Sequence, residues 1–290
     1  MRLEIGKVVE LGIDWLKDNL GGFFDLIKLM LRGLIDGFEW IFTIVPFFVF
    51  IIIVALIALR ISGVKNAIFS IVGLLVINYT NLWPEAMATL ALVSTAALIA
   101  LVIGVPVGIG MAKYDKLDEI IRPVLDFMQT MPAFVYLIPA VFFFGIGVVP
   151  GAVATIIFAM PPIIRLTNLG IRQVPEEVIE ASKAFGATSS QMLFKVQIPL
   201  AMPTISAGLN QTIMLSLSMV VISAMIGSGG LGQKVIEGVT SMRIGIGFEG
   251  GLAVVFLAMI LDRITQTIGK KNQGVNFLKW IKEKITKKSI

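Results

Sequence analysis

The side chains of this sequence that could carry out chemistry are few, and several of them lie inside long apolar runs. Asp126, Gln129 and Thr130 stand at the start of one apolar run, and Asn210 and Gln211 stand within another. A polar group at membrane depth is costly, so it is expected to face the interior of a helix bundle or water. These residues are therefore candidates for lining a polar pathway, and hydrogen bonding between helices is the alternative.

Two glycine-rich stretches raise the question of phosphate binding. Residues 227–232 and 245–250 both match the pattern G-x-G-x-x-G. Neither stretch follows a strand of a βαβ unit, and both fall in a predicted outer loop, so we interpret them as flexible outer turns. The phosphate-binding pattern G-x-x-x-x-G-K-[ST] does not occur in the sequence. We therefore expect that this chain does not bind ATP itself.

The composition gives little support to enzymatic chemistry. The sequence contains no cysteine and no histidine. Thiol chemistry, the most frequent general base and the commonest metal ligand are therefore not available. We expect no catalytic residue, no metal site and no cofactor on this chain, and a membrane enzyme is disfavoured.

The same composition is typical of a polytopic membrane protein. The chain is 57% hydrophobic and only 15% charged, which is more apolar surface than a soluble domain can bury. Because a transmembrane helix needs about 20 apolar residues, the sequence predicts an all-α fold with about seven transmembrane helices. They are predicted at residues 42–59, 66–83 and 86–112, as two helices within 127–164 that the turn 145–151 separates, as one helix within 201–233, and at about 249–268.

The basic residues predict how these helices are oriented. The connections 84–86 and 145–151 contain no Lys or Arg, and most of the 24 basic residues fall on the other side. The positive-inside rule then places the N-terminus outside and the C-terminus in the cytoplasm.

Both ends of the chain carry amphipathic patterns. In residues 1–40, apolar side chains recur at helical spacing with charges between them, which predicts an interfacial amphipathic helix. Packing of this helix on another subunit is the alternative. In the basic tail, residues 270–290, Phe277, Ile281 and Ile285 share one helical face. This pattern predicts an anchor on anionic lipid, and a disordered basic tail is the alternative.

A polar, charged segment, EASKAFGATSSQMLFKVQIP, interrupts the apolar runs. Its sequence predicts two short helices. Gly186 is a suitable residue to end the first, and Thr188 with Gln191 three residues later fits a capping box for the second. Pro199 is predicted to end the second helix, because proline cannot continue it.

The apolar side chains of this segment suggest what it does. Phe185, Met192, Leu193 and Phe194 have no membrane to enter. Such a helix-turn-helix with exposed apolar side chains is expected to dock on a partner. An ordinary connecting loop that packs on its own protein is the alternative.

The spacing of this segment resembles the EAA loop of binding-protein-dependent ABC importer permeases. The family pattern is E-A-A, three residues, G, nine residues, I, one residue and L-P, and the spacing here matches throughout. Ser182, Val196 and Ile198 are conservative departures from that pattern. The resemblance implies that this loop sits in a groove on an ATPase subunit and transmits its closure to the membrane helices. The residues that carry it are Glu180, Ala181, Ser182, Gly186, Val196, Ile198 and Pro199.

Longer stretches resemble the permeases of glycine betaine and proline betaine importers. They lie at residues 125–151, 158–177 and 217–232, within a likeness that runs from residue 42 to residue 268. This resemblance implies a five-helix type I ABC importer core at 84–269, with the EAA loop at 174–200. Two accessory transmembrane helices, at 41–83, would precede the core.

The resemblance also implies partners and a place in the cell. A permease of this kind is a subunit of an ATP-driven importer of compatible solutes in the bacterial cytoplasmic membrane. Its expected partners are cytoplasmic ATPase subunits that hold ATP and Mg, a separate extracytoplasmic substrate-binding protein and a second permease copy, without nucleic acid. Alternatives are an ABC permease for carnitine, choline or another small solute, and an ion-coupled secondary carrier or channel.

A betaine carries a quaternary ammonium group and a carboxylate, and aromatic faces attract such a cation. Phe134 and Tyr136 supply such faces near the polar residues, although lipid contact or core packing is the alternative for aromatic side chains. The full set of pathway candidates is Asp126, Gln129, Phe134, Tyr136, Asn210 and Gln211.

Overall fold

The computed structural model describes residues 5–271, and this part of the chain is almost entirely helical. A 3-10 turn, Ala133–Tyr136, and a π-helical segment, Leu193–Gln197, join some of the α-helices. The helices are α1 (Ile5–Ile44), α2 (Phe47–Ser62), α3 (Val64–Tyr79), α4 (Trp83–Lys113), α5 (Asp115–Thr130), α6 (Leu137–Phe144), α7 (Val148–Arg172), α8 (Glu176–Ala184), α9 (Ser189–Met192), α10 (Ile198–Ala224), α11 (Gly230–Thr240) and α12 (Ile244–Lys271).

The centre of the molecule is a bundle of α4, α7 and α10, in which small residues allow the helices to approach closely. A Cβ atom added to Gly108 on α4 would lie 2.6 Å from the carbonyl oxygen of Ile164 on α7. A Cβ atom added to Gly104 on α4, or to Gly208 on α10, would likewise lie too close to Ile163. The interpretation of the α4 glycines as helix-packing residues is confirmed, because close contact in membranes favours small residues.

The accessory helices α2 and α3 form a hairpin around Gly63, whose φ is +89°. At one end, the Ser62 hydroxyl donates to the carbonyl oxygen of Arg263 on α12 at 2.8 Å, and the Arg263 guanidinium lies 4.3 Å from the Phe69 ring centroid. At the other end, Phe50 packs edge-on against Trp83, which begins α4. The hairpin therefore packs against both α12 and the start of α4.

Among residues 5–271, four helices are long and apolar enough to cross a membrane by themselves: α4, α7, the helix Ser189–Ala224 that includes α10, and α12. Two bent pairs, α1 with α2 at 100° and α5 with α6 at 109°, pass the same test together, so the described residues hold between four and six such spans. The apolar helix α3 has 16 residues, which is about 24 Å of helix for a hydrocarbon core of about 30 Å. The total of seven crossings remains a prediction.

The crossing expected at the start of 127–164 is not one straight helix. Helix α5 begins earlier, at Asp115, and the chain turns sharply at Met131, which has an extended backbone. The cause is Pro132, because a proline disfavours the helical conformation of the residue before it. The expected single helix is therefore an amphipathic α5 followed by the short apolar α6.

Two expectations for the outer loop are corrected by the helix boundaries. The crossing expected within 201–233 ends at Ala224, and a glycine turn leads into the unexpected helix α11. Residues 245–250 are not a flexible turn, because they lie within α12. Gly247 contacts α11 so closely that a Cβ on Gly238 would lie 2.3 Å from it.

Helix α1 confirms the helical pattern of the N-terminal segment and kinks at Leu20, beside Gly21 and Gly22. It docks through the buried side chains of Leu31 and Ile35. Phe24 stacks on Phe143 with ring centroids 4.4 Å apart. Most of the other apolar side chains of α1 are exposed. The basic tail at 270–290 lies almost wholly outside the described residues, so its anchoring role stays a prediction.

Candidate coupling site

The EAA loop, residues 174–200, begins with α8 and a tight glycine turn. The amide of Ala187 donates to the carbonyl oxygen of Ser182 at 3.0 Å, and the amide of Gly186 donates to that of Lys183 at 2.9 Å. These two bonds form a Schellman motif, in which the residue after the helix cap adopts a left-handed conformation. Gly186 has a φ of +79°, so the prediction that it ends the first helix is confirmed.

The second helix of the loop starts with the predicted capping box. The Gln191 amide donates to the Thr188 hydroxyl oxygen at 3.3 Å, and the Thr188 amide donates to the Gln191 side-chain oxygen at 3.0 Å. Each bond satisfies a donor that has no partner within the helix. The turn between α8 and α9 is thus fixed at both ends by local hydrogen bonds.

The prediction that Pro199 ends the second helix is wrong. Residues Ser189–Ala224 form one helix of 36 residues that runs from the loop into the membrane. The π-helical segment Leu193–Gln197 ends two residues before the proline. Such a segment rearranges the hydrogen-bond partners of one turn, so the missing N–H of Pro199 is accommodated. The loop is therefore joined to α10 without a break.

The surface of the loop is apolar in places. Phe185 is 92% exposed and Phe194 is 64% exposed, whereas Met192 is buried against the protein. Glu180 and Ala181 are also exposed. The Ser182 hydroxyl donates to the carbonyl oxygen of Val178 at 2.7 Å, so this departure from the family pattern is satisfied within its own helix.

The predicted EAA residues occupy one contiguous element. Val196 and Ile198 are half-buried at its second end, and Pro199 is exposed. At the first end, the buried Val174 anchors the chain between α7 and α8. The loop thus connects α7 directly to α10, and these two helices are closely packed near it: a Cβ on Gly170 would lie 3.0 Å from the Cβ of Thr204. A force on the loop reaches both helices.

The pathway candidates on α10 have different surroundings. The Asn210 side-chain amide donates to the carboxylate of Asp262 on α12 at 2.9 Å, and its oxygen accepts from the Thr265 hydroxyl. Asn210 therefore makes the interhelical hydrogen bonds that were the alternative interpretation. Gln211 is exposed on the surface of the chain.

The remaining candidates lie along α5 and the following 3-10 turn. The carboxylate of Asp126 pairs with Arg165 on α7, and Gln129 and Phe134 are exposed. Tyr136 is buried, and its hydroxyl donates to the carbonyl oxygen of Met128. The described chain does not bring the six candidates into one pocket. It places them on three elements, α5, the 3-10 turn and α10.

A polar cluster between α5 and α7 was missed by the sequence analysis. Asp118 is buried and accepts from the Asn168 amide at 2.7 Å and from Arg122 at 2.5 Å. Arg172 donates through Nε to Asn168 at 2.9 Å and through a terminal nitrogen to Asp115 at 2.7 Å. The signal available in the sequence was the polar spacing of Arg165, Asn168 and Arg172 at the end of an apolar run.

This cluster borders a cleft of about 400 Å³ between the two helices. Its carboxylates are paired with arginines. Within residues 5–271, no group of three or more metal-ligating side chains is found.

Comparison with protein families matches residues 104–273 to the family described as "Binding-protein-dependent transport system inner membrane component". The chain is 50% identical to the glycine betaine transport system permease protein OpuAB of Bacillus subtilis, over 94% of this chain and 98% of that protein. It is 52% identical to the glycine betaine/proline betaine transport system permease protein ProW of Escherichia coli, over 93% of this chain and 76% of that protein.

A third relative is named for two solutes. The chain is 54% identical to the glycine betaine/carnitine transport permease protein GbuB of Listeria monocytogenes, over 89% of this chain and 94% of that protein. Among solved structures, a chain of the inward-facing MetNI methionine ABC transporter superposes with a TM-score of 0.60 and 23% identity. The match covers 66% of this chain and 95% of that one, and it shows a shared type I importer fold.

Proposed function

Because this chain belongs to the family of binding-protein-dependent transport system inner membrane components, we propose that it is the permease subunit of an ATP-driven importer. Its proposed substrate is glycine betaine, proline betaine or a similar compatible solute. The observation that carries the proposal is the EAA loop, which presents exposed apolar side chains and is joined to two membrane helices. About half of the aligned residues are identical to those of permeases named for glycine betaine, and this similarity supports the substrate class.

The proposed mechanism follows from how the loop is attached. When ATP draws two partner ATPase subunits together, each carries an EAA loop with it through contacts to Phe185 and Phe194. Since the loop continues into α7 and α10, its displacement changes the packing of the central helices and alternates access to the pathway. ATP and Mg are bound by the partner, and this chain contributes no catalytic group.

The remaining partners are proposed from the same family. A separate extracytoplasmic binding protein delivers the solute, and a second copy of the permease completes the pathway. The EAA loop faces the cytoplasm, and α1 contacts the opposite end of the bundle, at the turn 145–147. This arrangement supports an N-terminus outside and a C-terminus inside, in the cytoplasmic membrane of a bacterium. The basic tail is proposed to contact anionic lipid.

The proposed pathway runs along the exposed polar faces of α5 and α10. Gln211 shares one face of α10 with Ala207 and Ser218, and all three are exposed. Asp126 and Gln129 lie on the polar face of α5. Polar groups at membrane depth are expected to face water or a partner helix, and a second copy placed against these faces would enclose a polar path.

Competition for uptake tests the substrate class. Cells without their own betaine transport would express this chain with its ATPase and binding protein, and uptake of labelled glycine betaine would be measured against unlabelled solutes. Proline betaine is expected to compete strongly, and carnitine is the second candidate because one relative is named for it. Uptake that an ionophore abolishes while ATP is unchanged would instead indicate an ion-coupled carrier.

A further inference from the structure

Helix α5 is held on the bundle by an apolar edge, whose partly buried side chains pack on the core around Leu125, and by polar contacts. Only Asp118 and Leu125 of its 16 residues are buried. Ile120, Val124 and Phe127 are exposed on one side, and Glu119 and Arg122 are exposed on another. The charged and amide side chains of α5 add polar contacts to this apolar packing.

Those polar contacts all reach the last turns of α7. Asp126 pairs with Arg165, and Asp118 accepts from Asn168 at 2.7 Å. Both polar atoms of the Asn168 side chain are hydrogen-bonded. Its nitrogen donates to Asp118, and its oxygen accepts from Arg172 Nε at 2.9 Å. Its amide orientation is therefore fixed. The hydrogen bond from Asn168 to Asp118 joins α7 to α5, and the two residues are 50 positions apart in the sequence.

The last turn of α7 is also the start of the EAA loop. Helix α7 ends at Arg172 and α8 begins at Glu176, so a short connection separates the Asn168–Arg172 contact from the coupling helix. At its other end α5 stops at the sharp bend before Pro132, where it meets the following segment at 109°. One end of α5 is thus fastened beside the loop and the other ends at a bend.

We propose that Asp118 and Asn168 are positioning residues for transport, which fasten α5 to the end of α7 so that α5 moves with the EAA loop. This inference rests on the proposed function of the loop. Helix α5 then turns about the bend before Pro132 and carries its polar face, including Asp126 and Gln129, between two positions. A loop that moves without α5 would let the ATPase close while the pathway stays unchanged.

The test uses the complete complex with its ATPase and binding protein in liposomes. Asp118→Asn keeps the size of the side chain and removes the charge, and Glu119→Gln is the matched control on an exposed neighbour. Asp118→Asn is expected to keep normal ATPase copurification and to lower solute uptake per ATP hydrolysed by about tenfold, as for a lost charged hydrogen bond. Glu119→Gln is expected to match the unmodified complex.

A swapped pair distinguishes positioning from simple packing. In the double variant Asp118→Asn with Asn168→Asp, an amide still faces a carboxylate, and the new carboxylate faces Arg172. Uptake per ATP is expected to recover to at least half. Asn168→Asp alone places two carboxylates together and is expected to uncouple like Asp118→Asn.

Several results would overturn the inference. They are an unchanged uptake per ATP in Asp118→Asn, equal losses of complex and of both activities, or failure of both single variants to assemble. Each of these results would mean that the contact between Asp118 and Asn168 only stabilises the fold and does not couple α5 to the loop. Failure of the proposed function is separate, because the unmodified complex would then show no ATP-driven uptake.

Discussion

Substitutions of Gly186 distinguish two effects on the EAA loop: the strain of its left-handed backbone and the contact of a side chain with the docked partner. Gly186 has a φ of +79°, and a Cβ there would meet no atom of this chain within 4 Å. An ordinary L-residue in this region costs roughly 1–2 kcal/mol, and Asn tolerates it better than most. Alanine should therefore shift the equilibrium between the ordered and the frayed turn by roughly 5- to 30-fold.

The assay is ATP-driven uptake together with the amount of ATPase that copurifies, at equal abundance in the membrane. Gly186→Asn is expected to stay close to the unmodified protein, and Gly186→Ala is expected to lose uptake severalfold. Gly186→Arg should lose the most, because its long charged side chain adds a clash with the docked ATPase to the backbone strain. Equal losses for Ala and Arg would refute contact with the partner at this turn. Full activity of all three variants would refute the need for a left-handed residue.

Three other predictions concern the cap, the orientation and the tail. Thr188→Ala removes the capping box at a cost of about 1 kcal/mol and should weaken ATPase docking, whereas the neighbouring Ser190→Ala should not; equal docking of both variants would contradict this. Since the chain has no cysteine, Gly22→Cys and Lys183→Cys should each be labelled by an impermeant reagent from opposite sides of the membrane, and labelling from one side would refute the orientation. Replacing the tail lysines with glutamine should weaken the dependence of uptake on internal salt in anionic liposomes. Each lysine contributes about 1 kcal/mol of binding free energy at such a surface, and salt screens that contribution. Identical salt curves for the variant and the unmodified protein would exclude the tail from salt sensing. These lysines are Lys279, Lys282, Lys284, Lys287 and Lys288.

The EAA loop was predictable because its geometry is set by neighbours in the sequence. Gly186 ends α8 through bonds to residues within one turn, and Thr188 pairs with Gln191 three residues later. Such signals are local and carry over directly from sequence to structure. The glycines of α4 could be assigned for a similar reason, because small residues four apart mark one face of a helix.

Features that depend on tertiary contacts were predicted less well. The rule that a proline ends a helix failed at Pro199, where the π-helical segment absorbs the missing donor. Hydropathy located apolar residues near Pro132 without revealing the bend between α5 and the following turn. The bond between Asp118 and Asn168 joins residues 50 positions apart, and nothing local connects them. Asn210 looked like a pathway residue, and its partner Asp262 lies 52 positions away in the sequence.

Uptake by the purified components, added one at a time, tests the central claim most directly. Liposomes would contain this chain alone, this chain with its ATPase, or both with the binding protein outside and ATP inside. The proposed function predicts accumulation of labelled glycine betaine only in the complete system, with loss of uptake when the ATPase cannot hydrolyse ATP. Accumulation by this chain alone, or uptake that is independent of ATP, would contradict an ATP-driven permease subunit.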